Sequence, residues 1–207
     1  KEVLSAFGLL QFTDMAKLYP VSEAMLKEDV DFLLSRRDGQ GGYLNSGDSA
    51  HGYGSAPKPV SDGFITYALT ASGHRKVLEK EIARQAEVAR SSSDPYVLAL
   101  AARTLLASEH AAASAAVERL AKLQDGKGAF TGAQSSITRS YEANLDVEST
   151  ALASLALMEA GPRYRTQAQK GVDWLVGARN GGTWGATQAT AMALQALPRH
   201  AELSKAP

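Results

Sequence analysis

Apolar residues recur along the chain at α-helical spacing. After Val21 they fall at Leu26, Val30, Leu33 and Leu34, and the same offsets return at Ala113, Val117, Leu120 and Ala121 and at Ala168, Val172, Leu175 and Val176. Each set predicts an amphipathic helix with one buried stripe. Between them stand stretches that are apolar on nearly every side, at 96–106, 145–158 and 186–197. A helix that is apolar all round must be covered all round, so outer helices are predicted to alternate with enclosed inner ones. Sustained strand-like alternation is absent, and the class is all-α.

Start and stop signals give nine helices, near 3–18, 21–37, 62–72, 74–90, 94–107, 111–124, 146–160, 164–178 and 186–197. Asp94 before Pro95 is an N-cap ahead of a proline that suits the first helical position. Asp62, Asp146 and Thr187 are read as caps of the other enclosed helices. Gly73, Gly161 and Pro198 mark stops.

Three predicted outer helices end in one punctuation, at residues 34–43 (LSRRDGQGGY), 120–130 (LAKLQDGKGAF) and 175–184 (LVGARNGGTW). Each is a glycine-bearing turn followed by a ring. Gly42, Gly126, Gly128 and Gly182 give the backbone freedom at the turn, and Tyr43, Phe130 and Trp184 fold back to seal the hairpin end. We read these rings as structural, against the alternative of a sugar- or ligand-stacking platform. Repeated hairpins with Ala-rich inner helices point to an α/α toroid, in one domain spanning 1–207.

These blocks carry two resemblances. Residues 170–184 (KGVDWLVGARNGGTW) resemble the aromatic-glycine repeat of the terpenoid cyclase and prenyltransferase toroids, with Arg179 where that repeat usually has Gln. Residues 7–20 (FGLLQFTDMAKLYP), 146–151 (DVESTA), 174–176 and above all 181–197 (GGTWGATQATAMALQAL) resemble the thioester-domain region of the bacterial alpha-2-macroglobulin family. The second resemblance runs over nearly the whole chain, with its blocks in family order. It implies a piece of a broad-spectrum endopeptidase inhibitor that closes around an attacking protease. Proteases and neighbouring domains of the same chain are then the partners, and the parent is periplasmic or extracellular, with a lipid anchor in many bacterial members. In that family the thioester motif lies upstream of the segment that opens this chain. Nine helices are also fewer than a closed ring of six hairpins takes, so the sequence reads as an incomplete toroid, a fragment of a larger protein.

Composition narrows the chemistry. The 207 residues include 36 alanines and no cysteine, so no thioester forms within them. Twenty-two basic residues balance 22 acidic ones, which leaves no long-range pull toward nucleic acid. Apolar runs are too short to span a bilayer, so direct membrane insertion is not expected. His51, His74, His110 and His200 lack metal-ligand spacing, and neither metal nor cofactor is expected. His51 sits in the loop that carries an acyl-accepting histidine in some complement relatives. Its spacing to the next helix differs, and a solvated loop histidine is the preferred reading. No phosphate loop or nucleophile elbow is present.

The rival reading is a toroid enzyme, carbohydrate-active or terpenoid cyclase-like, with Asp62, Asp146 and Glu148 converging at the mouth. Helix capping adequately explains an aspartate at a helix start and is the preferred reading, and we take the chain as non-enzymatic. The predicted helix 74–90 mixes Arg75, Lys76, Glu79, Lys80, Glu81, Arg84, Glu87 and Arg90, a solvated face or a dock for neighbouring domains.

Overall fold

The computed structural model describes residues 1–44 and 56–205. They contain nine α-helices: α1 (Glu2–Met15), α2 (Glu23–Ser35), α3 (Lys58–Leu69), α4 (Glu79–Ser91), α5 (Pro95–Ala107), α6 (Ala113–Ala121), α7 (Glu142–Glu159), α8 (Arg165–Ala178) and α9 (Thr187–Lys205). Among the described residues there is no strand, only two isolated bridges, Arg37 with Tyr43 and Asn180 with Thr183. The class is all-α.

Helix ends follow local chemistry, and some differ from the sequence reading. Asp94 caps α5 through one carboxylate oxygen that accepts from the N–H groups of Tyr96 at 2.9 Å and Val97 at 3.1 Å. Asp62 is not a cap, because α3 starts earlier, behind Pro57 and with Pro59 in its first turn. A proline there loses no helical hydrogen bond, and that signal outweighed the aspartate. Asp146 is likewise inside α7, which begins at Glu142 after Tyr141. Thr187 is the first helical residue of α9 and not its cap. That helix also runs through Pro198 to Lys205, where the sequence reading stopped it. One missing N–H is tolerated because the turn beyond the proline is packed, with Leu203 lying against the core. Gly73 and Gly161 do turn the chain, at φ 91° and 95°.

The odd-numbered helices form an inner layer, each touching the next: α1 on α3, α3 on α5, α5 on α7 and α7 on α9. The even-numbered helices lie outside them, α2 on α1, α4 and α6 on α5, and α8 on α7 and α9. All five inner helices line one cavity of about 290 Å³, through Phe7, Tyr67, Arg103, Leu152 and Gln188 among others. Because each inner helix after the first is entered from an outer one, the inner helices run in the same direction.

The inner helices pack closely because their side chains are small. Ala99, Ala101, Ala102, Ala151, Ala153, Ala156, Ala189, Ala193 and Ala196 are all fully buried. Larger residues fill the space between: Leu98, Leu100, Leu105, Leu120 and Leu157 have almost no exposure, and each contributes about 1.5–3 kcal/mol by leaving water. Between the layers the fit is tighter still, since a Cβ on Gly171 of α8 would meet the Ser154 hydroxyl of α7 at an impossible separation. In α4 the outward residues carry charge and pair along the helix, as Arg84 does with Glu87 at 2.7 Å. No helix among the described residues is long and apolar enough to cross a membrane.

Candidate functional site

The three glycine corners are built alike. At the first, the Asp38 carboxylate accepts from the N–H groups of Gln40 and Gly42, and the Asp38 N–H donates to the Gly42 carbonyl at 2.9 Å. At the second, Asp125 accepts from Lys127 and Ala129, and its own N–H donates to the Ala129 carbonyl at 2.9 Å. At the third, the Asn180 N–H donates to the Thr183 carbonyl at 2.9 Å. In the first two, a short polar side chain that folds onto its own backbone closes the turn.

The ring that follows each turn is buried, Tyr43 and Trp184 nearly so and Phe130 completely. In each case its backbone N–H donates to a side chain on the next inner helix. Tyr43 donates to Asp62 of α3 at 3.1 Å, Phe130 to Thr150 of α7 at 3.0 Å and Trp184 to Thr190 of α9 at 3.1 Å. Trp184 adds an indole N–H bond to the Leu175 carbonyl of α8. The rings lie against the protein itself, so these faces are not open to a stacked sugar. Sequence reasoning quoted the glycines and rings but missed Asp38, Asp125, Thr150 and Thr190. The repeated Asp-Gly-x-Gly string was the signal for the first two.

Asp62 therefore anchors a corner. Its carboxylate also pairs with Lys58 at 2.9 Å, and Lys58 reaches Asp38 at 3.1 Å and the Tyr43 carbonyl at 2.9 Å. Burial raises the Asp62 pKa above the ordinary carboxylate range, against the pull of Lys58 and the Tyr43 N–H. Burial alone would lower Lys58, but Asp62 and Asp38 outweigh it and hold the ammonium in its charged form. Asp62→Ala leaves the buried Tyr43 N–H without an acceptor, and a loss of about 1–3 kcal/mol is expected. Asp62→Asn keeps one acceptor and should recover much of it, as urea titration would read.

Glu148 is fully buried on α7. Its Oε1 accepts from the Ser140 hydroxyl and, at 3.4 Å, from Thr138, while Oε2 has no partner. Desolvation raises its pKa, offset in part by the hydroxyls of Ser140, Ser136 and Thr138. A carboxyl whose native pKa lies above its unfolded value binds more protons when folded, so it favours folding below the unfolded value. That contribution is lost as pH rises through the native pKa. Glu148→Gln is expected to flatten the wild-type fall in stability above pH ~4.3, measured by melting temperature against pH.

Asp146 is half-buried, its pKa raised by partial burial and by Asp125. Asp62, Asp146 and Glu148 thus occupy separate settings, and none lines the cavity between the inner helices. That cavity instead receives Arg103 of α5, a charge that sequence reasoning passed over in an apolar helix. Its guanidinium lies 4.3 Å from the centre of the Tyr67 ring and bonds both oxygens of Glu159 at the end of α7, at 2.6 and 3.0 Å. Three inner helices are tied together by this one side chain. His51 lies outside the described residues. Among those described, no group of three or more His, Asp or Glu side chains is placed to hold a metal ion.

No curated protein sequence matches the chain. The family model described as the A-macroglobulin TED domain matches residues 2–200, from the start of α1 into the last turns of α9. Its span takes in all three corners and every inner helix, and the chain belongs to the A-macroglobulin TED domain family.

Proposed function

We propose that this domain is the toroidal part of a broad-spectrum alpha-2-macroglobulin-type endopeptidase inhibitor. It works by enclosing a protease. The observation that carries the reading is the family match over residues 2–200. The absence of cysteine from the sequence supports a steric role for these residues, since a thioester needs a thiol. The separate settings of Asp62, Asp146 and Glu148 speak against the toroid-enzyme alternative, which needs acids converging on a common cleft.

In this reading the domain is one piece of a larger chain. It works outside the cytoplasm, periplasmic or extracellular, as in the lipid-anchored bacterial members. Its partners are the trapped proteases and neighbouring domains of its own chain. The charged outer face of α4 is one place for such a neighbour. The test is to mix trypsin with the protein that carries this domain and follow two substrates. A cage blocks cleavage of azocasein while leaving hydrolysis of a small chromogenic peptide intact. Equal loss of both activities, or of neither, would overturn the proposal.

A further inference from the structure

The segment before α7 is built with unusual strain. Three non-glycine residues among those described have positive φ, and two of them, Arg139 at 56° and Glu142 at 50°, flank Ser140. Such backbone costs about 1–3 kcal/mol per residue and persists only where its surroundings impose it. Within this segment one hydroxyl meets a buried carboxylate. Ser140 is only partly buried, and its Oγ donates a hydrogen bond to the buried carboxylate of Glu148. The Ser140 N–H is fixed in turn by the Ser136 hydroxyl at 3.0 Å.

A carboxylate buried beside a reachable hydroxyl is a general base aimed at a nucleophile. Ser140 also immediately precedes Tyr141, the N-cap of α7, whose first turn has no side-chain cap. Of the titratable groups, Tyr96 on α5 feels the Glu148 charge, and Arg139 and Glu142 stand on either side of Ser140 in the chain.

From this geometry we infer that Ser140 and Glu148 form an acyl-accepting dyad, a covalent modification site for activated esters and thioesters. The Ser140 oxygen attacks the acyl carbon and forms a new ester bond. The bond from that carbon to the leaving oxygen or sulfur breaks, and the leaving group departs with the electron pair. The Ser140 proton passes to Glu148 Oε1. The inference does not depend on the protease-trap reading.

The probe is p-nitrophenyl acetate, incubated with the intact chain. A burst of one equivalent of p-nitrophenolate is expected, and peptide mapping of the unmutated protein should place a single acetyl group on Ser140. Glu148→Gln, which keeps the shape and a hydrogen bond, should lower the burst rate by about a hundredfold and flatten its rise with pH. Ser140→Ala should abolish it with the helical circular dichroism unchanged. Acetyl groups confined to lysines or found on Thr138, or an unchanged rate in Glu148→Gln, would overturn the assignment. The map of the unmutated protein decides even if a variant fails to fold.

Discussion

Gly128→Ala is expected to destabilise the domain by about 3 kcal/mol or more, lowering the melting temperature by roughly 6–12 °C. Two independent costs meet at this corner. The residue has φ 98°, where a side chain strains the backbone by about 1–2 kcal/mol. An added Cβ would also run into the backbone carbonyl of Lys170 in α8, which has no rotamer to retreat into. Gly126, in the same turn, has open space around it and an ordinary φ. Gly126→Ala should therefore fall within about 0.5 kcal/mol of the unmutated protein. Calorimetry on the pair separates a packed corner from a flexible one, and equal effects would show that the close approach to α8 carries no energy.

The contrast between these glycines marks where sequence reading ends. The nine helices of the described residues, their inner and outer order and the three corners were all legible, because alanine-rich enclosed stretches and Gly-plus-ring punctuation follow from packing density and backbone freedom. The helix starts at Lys58 and Glu142 were not, because the aspartates that look like caps, Asp62 and Asp146, lie inside their helices. Asp62 receives the Tyr43 backbone from 19 positions away, and no local pattern announces a partner at that distance. Arg103 was hidden in the same way, since its partners Tyr67 and Glu159 come from two other helices. Long-range pairing of polar groups, unlike periodicity, leaves no mark in a single sequence.

That limit matters most for the acids. Read along the chain, Asp62, Asp146 and Glu148 look equivalent, each near the start of an enclosed helix. In three dimensions Asp62 is paired with Lys58 and tied to a corner, Asp146 is half-buried, and Glu148 is fully buried and accepts from the Ser140 hydroxyl. Sequence places them near one face of the molecule, and the surroundings give each a different chemistry.

Phe130→Ala should be the costliest change at any of the three corners, about 3–5 kcal/mol. The ring has no exposure at all and sits in the core between the outer and inner layers, so its removal leaves a cavity that two packed helices cannot collapse to fill. The backbone anchor behind it is a separate quantity. Thr150→Val keeps the volume but strips the acceptor from the Phe130 N–H, and about 1–3 kcal/mol is expected. If ring and anchor act as one seal, the double variant loses less than the two single losses added together, with a coupling of at least about 0.5 kcal/mol. Additive losses in a urea-unfolding cycle would mean that the ring merely fills space. The register of the corner would then be set by Asp125 and Gly128 alone.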